Sequence, residues 1–159
     1  MAKTLNDIEL KKLIDNNIII NGDESRVRSN AYILRLAAKG EYMHIGKEFD
    51  ISKHKEGFKL PTGNSVAIMS FETLDFRRDA VHKLYPKCDL FTYMFPVTDL
   101  SREGIVTNST VVDPGYHGVI NWTFNNISNK ENEFLYQERI YRLVVLEVGL
   151  MAMLVMAVI

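Results

Sequence analysis

The residues with the clearest chemical potential lie in the segment 111–121, where an acid and an aromatic residue are three positions apart. Asp113 and Tyr116 enclose Pro114 and Gly115, between two apolar runs. Pro114 presets φ at the first central position of a turn, and Gly115 supplies the positive φ that a type II turn needs next. Two strands joined by this turn would hold one carboxylate and one ring over the same small volume. Such an arrangement is suited to binding a sugar.

A second polar set precedes this turn in the sequence. Arg102 offers a planar guanidinium that matches the oxygens of a phosphate group, and Ser101 and Asn108 add a hydroxyl and an amide. The simpler interpretation of residues 99–103 is a solvated, charged turn. The sequence alone leaves both interpretations open.

The other candidate side chains also have an interpretation without a ligand. Aspartate is a common turn former that accepts hydrogen bonds from nearby backbone N–H groups, which would account for Asp113. Tyr116 would then be a half-buried residue of the sheet with its hydroxyl at the rim. Arg142 lies in an alternating segment, where it would face solvent or pair with Glu138 or Glu147.

The composition predicts one globular domain over residues 1–159. Apolar residues make up 47% of the chain and charged residues 25%, which is typical of a protein with a buried core. A net charge of −1 gives no overall electrostatic case for nucleic acid as a partner. The single cysteine forms no internal disulfide, and the polar residues after Met1 do not resemble a secretory segment, so we expect a cytoplasmic protein. The apolar end, 149–159, is too short for a membrane span and is expected to be buried.

Few other patterns in the sequence indicate catalysis. The four histidines are scattered and the single cysteine cannot build a paired site, so no metal ligands are predicted. No motif of a serine or cysteine nucleophile is present either. The polar residues around positions 98–116 therefore remain the candidates for chemistry.

The hydrophobic pattern predicts a short helix followed by a largely β chain. Thr4 is the predicted helix cap, and Leu10, Leu13 and Ile14 form the apolar stripe. The segment 75–84 fits a short helix, although 79–84 fits a strand equally well. Runs of β-branched and aromatic residues predict strands at 18–20, 31–36, 42–45, 66–71, 90–95, 105–112, 119–124 and 143–148. Regularly spaced short strands are typical of a barrel or a sandwich.

Alternation along the strand predicted at 119–124 assigns its two faces. Trp122 and Phe124 point to one side, where we expect the core. Asn121 and Thr123 point to the other side. Thr123 is therefore predicted to face a pocket.

Six segments, in order along the chain, resemble motifs of the superfamily that contains dCTP deaminases and trimeric dUTPases, with the deaminase branch the closer. The segment 113–118 is similar to the motif DPG(F/W/Y)xG, and the segment 100–105 is similar to SSLxRxGL. The other similar segments are 5–21, 28–36, 60–74 and 138–144. Together they cover most of residues 4–148.

The resemblance implies a mainly β fold, a distorted jelly-roll-like β-barrel of the dUTPase type with a short N-terminal helix. It also implies a homotrimer, with active sites between subunits around a deoxynucleoside triphosphate and its bound Mg²⁺. By position, Asp113 would bind the sugar 3′-hydroxyl and help to position the attacking water, and Tyr116 would pack on the deoxyribose. Arg102 would meet the triphosphate, and Arg142 replaces a glutamine that also serves phosphates.

The chain departs from the family pattern where deamination needs it most. Counting from Asp113, Thr123 stands in place of the glutamate that shuttles protons, and a threonine hydroxyl does not titrate near neutral pH. The aspartate of the first motif maps to Ile33, and the paired serines map to Thr98 and Asp99. We therefore expect a divergent protein that acts on or binds deoxynucleoside triphosphates, with hydrolysis favoured over deamination. The alternative is a catalytically inactive trimer with a nucleotide-binding, structural or regulatory role.

Overall fold

The computed structural model describes residues 2–150, and these form three short α-helices, one 3₁₀ helix (Glu24–Arg26) and twelve strands. The predicted burial of the apolar end, 149–159, therefore concerns mainly residues 151–159, which lie outside the described residues. The α-helices are α1 (Asp7–Asp15), α2 (Arg78–Val81) and α3 (Thr98–Arg102). The strands are β1 (Lys3–Thr4), β2 (Ile19–Ile20), β3 (Tyr32–Tyr42), β4 (Lys47–Asp50), β5 (Phe58–Leu60), β6 (Ser65–Asp75), β7 (Cys88–Pro96), β8 (Ile105–Val106), β9 (Thr110–Val112), β10 (His117–Asn126), β11 (Asn132–Phe134) and β12 (Arg139–Gly149).

Ten of the strands form one curled antiparallel sheet. Its main order is β8-β10-β6-β3-β12-β7-β9, and β1, β2 and β4 pair with β12, β6 and β3. The remaining two strands, β5 and β11, pair with each other. Register shifts in β3, β10 and β12 mark bulges, which bend strands and increase their twist. The predicted mainly β architecture with a short N-terminal helix is confirmed.

The core lies inside the curled sheet. Its largest fully buried side chains include Tyr32, Phe76, Phe124 and Tyr141. Trp122 is 6% exposed, so the alternation predicted along β10 places both of its aromatic residues correctly. No helix within residues 2–150 is long and apolar enough to cross a membrane.

The predicted apolar stripe of α1 is confirmed, but its predicted cap is wrong. Leu10 and Leu13 are buried, whereas Thr4 lies in β1 and pairs with β12. The cap is Asn6, whose Oδ1 accepts a hydrogen bond from the backbone N–H of Glu9 at 3.0 Å. Glu9 Oε2 in turn accepts from the backbone N–H of Asn6 at 2.9 Å, which completes a capping box.

Several predicted strand boundaries also need correction. The strand predicted at 31–36 continues to Tyr42, and residues 43–45, predicted as a strand, form the turn into β4. Gly46 has a φ of +60° there, a conformation that favours glycine. The single strand predicted at 105–112 is interrupted between β8 and β9, which pair with β10 and β7 respectively. Residues 107–109 between them are in neither strand, so the segment forms two short strands.

A buried ion pair joins β3 and β6. Glu72 is fully buried, and its Oε1 accepts hydrogen bonds from Arg35 Nε at 2.6 Å and from the Tyr32 hydroxyl at 2.9 Å. Glu72 Oε2 accepts from the backbone N–H of Arg35 at 3.0 Å. The Arg35 guanidinium also lies 4.5 Å from the centroid of the Phe71 ring. Both charges are thereby compensated inside the core.

A second buried carboxylate, Asp89, ties α2 to β7. Asp89 is 1% exposed, and its Oδ2 accepts from Arg78 Nη2 at 3.0 Å. The His82 ring nitrogen Nε2 lies 3.1 Å from Asp89 Oδ1. Burial alone would raise the pKa of this carboxyl, but the hydrogen bonds from Arg78 and His82 outweigh burial and lower the pKa.

Candidate functional site

The turn between β9 and β10 has the type II features predicted for it. The backbone N–H of Tyr116 donates to the carbonyl of Asp113 at 3.3 Å, and Gly115 has a φ of +86°. The turn is fixed to the chain after β6, because Gly115 N donates to the Phe76 carbonyl at 2.9 Å. Phe76 N donates back to the Tyr116 carbonyl at 2.7 Å. The two candidate side chains thus stand on a well-supported turn.

Their surroundings differ. Asp113 is exposed, and its carboxylate has no hydrogen-bond partner within residues 2–150. The Tyr116 ring is half-buried against the core, and its hydroxyl donates to the Val119 carbonyl at 2.5 Å. Burial raises the pKa of this hydroxyl above its ordinary value. The turn presents a free carboxylate to solvent beside a fixed ring.

Four arginines line a groove of about 740 Å³ on the outer face of β3, β12 and β7. We call it the arginine groove; its arginines are Arg28, Arg102, Arg139 and Arg142. Arg102 ends α3, and Arg142 lies in β12 opposite Ile33 of β3 and Phe95 of β7. Two of the predicted phosphate-binding residues, Arg102 and Arg142, are therefore in one groove.

The charges in this groove are unbalanced. Asp99 is the carboxylate that lines it, and Asp99 Oδ2 accepts a hydrogen bond from Arg139 Nη2 at 3.0 Å. Arg28, Arg102 and Arg142 have no ion pair with any residue in the range 2–150. Three uncompensated guanidinium groups around one groove attract an anion with several negative charges.

The floor of the arginine groove is apolar. Ile33, Phe95 and Val144 contribute to it, with Ile33 buried and Phe95 exposed. Ile33 is the position that maps to an aspartate in the first family motif. With isoleucine there, the groove gains no second carboxylate, and its positive potential is stronger for an anionic ligand.

Sequence reasoning missed Arg28 and Arg139 as groove residues. Strict alternation from Arg142 would put Arg139 on the opposite face of β12, but the register shift between Arg139 and Tyr141 returns it to the same side. Arg28 is positioned by the tight turn before β3, in which its backbone is hydrogen-bonded to the backbone of Ala31. The signal that could have identified both arginines in the sequence is their positive charge within two of the segments that resemble family motifs.

Ser101 and Asn108 lie elsewhere. Residues 98–102 form the helix α3 and not a charged turn, and the Ser101 hydroxyl donates to the Thr98 carbonyl at 3.0 Å within that helix. Ser101 does not line the arginine groove. Asn108 lines a separate hollow near β8 and β10, which are at the other end of the strand order.

This hollow, the polar groove, has a volume of about 350 Å³. Its polar lining consists of neutral side chains: Thr107, Asn108, Thr110, Asn121, Thr123 and Asn125. Thr123 faces the groove as predicted, and its hydroxyl lies 3.8 Å from the sulfur of Met43. The groove thus offers amide and hydroxyl groups to a ligand and contains no lining carboxylate.

The wall of the polar groove is stiffened by stacked rings. Trp122 stacks on Tyr141, with ring centroids 4.1 Å apart and planes 10° from parallel. The Tyr141 hydroxyl donates to the Asn108 carbonyl at 2.7 Å and lies 2.6 Å from the Thr107 hydroxyl. Burial raises the pKa of Tyr141 to about 12. The loop that carries Thr107 and Asn108 is therefore tied to the core.

The described residues do not form a metal centre. Within residues 2–150, no three histidine, cysteine, aspartate or glutamate side chains cluster as metal ligands. In the arginine groove, the carboxylate of Asp99 is already bonded to Arg139. The described residues of this groove therefore do not fit a protein-held Mg²⁺.

No protein-family model matches the chain, and no curated protein matches it. Two solved structures are similar in fold. The 2′-deoxycytidine 5′-triphosphate deaminase from Agrobacterium tumefaciens is 16% identical, with a TM-score of 0.73 over 93% of this chain; the chain spans 48% of the deaminase. The EIAV dUTPase is 12% identical, with a TM-score of 0.51 over 93% of this chain and 89% of the dUTPase. The chain therefore has the fold of dCTP deaminases and dUTPases.

Proposed function

We propose that this protein binds a deoxynucleoside triphosphate, with the phosphates in the arginine groove, and hydrolyses its phosphate bonds. The observation that carries the proposal is the set of uncompensated guanidinium groups of Arg28, Arg102 and Arg142. The dUTPase-like fold and the family resemblance at Arg102 support the same ligand. Each charge-assisted hydrogen bond to a phosphate contributes about 1.5–3 kcal/mol.

The sugar and the attacking water are assigned to the turn that carries Asp113 and Tyr116. The exposed Asp113 carboxylate is available to accept from the 3′-hydroxyl and to orient water, and the fixed Tyr116 ring is available to pack on deoxyribose. Asp113 does not line the arginine groove of its own chain. We therefore propose that Asp113 of a second copy completes the site, as the expected homotrimer would allow.

Deamination is disfavoured because, within residues 2–150, no lining side chain of the polar groove can carry a proton at neutral pH. Thr123 occupies the position of the family glutamate, and the other lining side chains that are polar are amides and hydroxyls. Hydrolysis of the triphosphate depends less on such a group. It requires mainly charge neutralisation by the arginines and by nucleotide-bound Mg²⁺, together with an oriented water.

The direct test combines binding and turnover. Purified protein is titrated with dUTP and dCTP in the presence of Mg²⁺ by calorimetry, and pyrophosphate, phosphate and ammonia are measured after incubation. We expect binding and pyrophosphate release without ammonia. Arg102→Ala should weaken binding by about ten- to a hundredfold, the equivalent of one lost charge-assisted hydrogen bond. Lys53→Ala is the control. It removes an exposed lysine that is distant from Arg102 in the sequence, and it should leave nucleotide binding unchanged.

Asp113→Asn separates the enzyme from an inactive binder. If Asp113 orients water, this substitution abolishes turnover while nucleotide affinity changes little. Binding without turnover in the unaltered protein would favour the second function, a nucleotide-binding or regulatory trimer, which the loss of carboxylates at Ile33 and Thr123 favours. Absence of binding to either nucleotide would refute both functions.

The oligomeric state gives an independent check. Light scattering should report three copies of the 18.3 kDa chain. A monomer at all concentrations would contradict a site shared between subunits.

A further inference from the structure

An apolar hollow adjoins the polar groove on the outer face of β3, β6 and β10. Its volume is about 280 Å³, and we call it the Phe49 pocket; Gly40, Phe49 and Met69 contribute to it. It shares two lining residues with the polar groove, Ala67 and Asn121. The two hollows therefore meet at this pair of residues.

The volumes allow one ligand to extend across both hollows. Small-molecule sites usually occupy roughly 300–1,000 Å³. The polar groove, at about 350 Å³, is near the lower limit, and the Phe49 pocket, at about 280 Å³, is below it. Joined, they fall well within the range. A ligand that uses both would have a hydrogen-bonding part and an apolar part.

Small residues shape the junction and the Phe49 pocket. Ala67 has only a methyl group at the junction, and Gly40 lets the Phe49 ring pack directly on the β3 backbone, where a Cβ would collide with that ring. Met69 is half-buried, and methionine adapts its shape to irregular apolar groups. At the junction, the Asn121 amide is exposed and has no hydrogen-bond partner within residues 2–150. It can donate to and accept from the polar part of a ligand.

The rim of the Phe49 pocket limits the charge of that ligand. Glu41 of β3 lies directly opposite Glu48 of β4, and both line the pocket together with Lys39. Neither glutamate has an ion pair within residues 2–150. Two carboxylates against one ammonium group repel an anionic substituent.

We infer that the preferred nucleotide carries an uncharged, apolar substituent on carbon 5 of a pyrimidine base. The hydrogen-bonding edge of the base lies in the polar groove near Asn121 and Thr123, and the substituent enters the Phe49 pocket. Carbon 5 is suited to this role because its substituent projects away from the hydrogen-bonding edge of the ring. The inference rests on the proposed function and names the substrate class for the same site.

The test compares matched ligands by calorimetry: dUTP, 5-propynyl-dUTP and 5-carboxy-dUTP, with dATP as a purine. Burial of the three propynyl carbons is expected to tighten binding roughly tenfold or more relative to dUTP. The carboxy compound should bind more weakly than dUTP because of the two glutamates. Equal binding of dUTP and 5-propynyl-dUTP, or tightest binding of dATP, would overturn the inference and leave the proposed function intact. Binding of none of the four would overturn both.

Two substitutions at Met69 locate the preference. Met69→Trp fills the Phe49 pocket and should remove the propynyl preference, so that dUTP and 5-propynyl-dUTP bind equally. Met69→Ala enlarges the pocket and should preserve it. Thr73→Trp is the matched control, on the same strand but outside both hollows, and should retain the preference. A propynyl preference that survives Met69→Trp in a folded protein places the substituent elsewhere and overturns the inference.

Discussion

Replacement of Glu72 by glutamine tests the buried ion pair between β3 and β6. The substitution keeps the shape of the side chain but removes its charge and turns one oxygen into a donor. Both Glu72 oxygens accept hydrogen bonds, from Arg35 Nε and the Tyr32 hydroxyl on one side and from the Arg35 backbone on the other. Either orientation of the new amide therefore sets a donor against a donor.

The expected loss follows from the partners that remain. Removal of one member of a buried pair costs about 3–5 kcal/mol. Arg35 keeps its hydrogen bonds to Gln137 Oε1 at 3.0 Å and to the Asn21 carbonyl at 2.5 Å, as well as the Phe71 ring. These contacts place Glu72→Gln at the lower end, about 3 kcal/mol. For a chain of this length, such a loss lowers the melting temperature by roughly 6–12 °C.

Urea unfolding followed by circular dichroism measures this loss, at one fixed protein concentration because an oligomer's stability depends on concentration. The control Glu56→Gln changes an exposed glutamate without an ion pair and should stay within about 0.5 kcal/mol. Tyr32→Phe, alone and with Glu72→Gln, shows how much of the effect passes through the tyrosine hydroxyl. A loss below about 1 kcal/mol in the free energy of unfolding would show that the Glu72–Arg35 ion pair contributes little to the stability of the fold.

Three further predictions concern the pH response, the turn and the arginine groove. Because the pKa of Asp89 is lowered from 3.8, its stabilisation is present above that pH and is lost as the pH falls through the lower pKa of the folded state; Asp89→Asn should show a flatter acid limb in urea titrations. Gly115→Ala forces a side chain into a φ of +86° and should cost about 1–2 kcal/mol in the same assay, whereas Gly149→Ala, where a Cβ would meet no atom of residues 2–150, should be neutral. Asp99→Asn frees Arg139 and should tighten triphosphate binding up to about fivefold in calorimetry, the range of an exposed ion pair; weaker binding would contradict the assigned electrostatics.

The local features of the fold were predictable where side-chain pattern and backbone agree. Alternation assigned Trp122 and Thr123 to opposite faces of β10, and the Pro114-Gly115 pair indicated the type II turn. The sequence did not indicate β4, β5 and β11, which are short and largely polar at their exposed positions. Such strands form because a neighbouring strand offers hydrogen bonds, and periodicity within the segment does not reveal a neighbour.

The candidate site was predictable only in part, for the same reason. Arg102 and Arg142 were named from family motifs, but their meeting with Arg28 and Arg139 depends on the pairing of β3 with β12 and on a register shift. The Phe49 pocket depends on β4 folding back along β3, a hairpin that the predicted strand at 42–45 obscured. Register is a property of two segments together, and one sequence without alignment shows each segment separately.

Trp122 is the single tryptophan of the chain, and this gives the protein a built-in optical reporter. Trp122 is among the residues that line the polar groove, and its ring is stacked on that of Tyr141. Emission excited at the indole therefore originates from one place, next to the proposed base-binding surface. A nucleotide that enters this groove would quench or shift that emission, so occupancy can be followed in real time without a label.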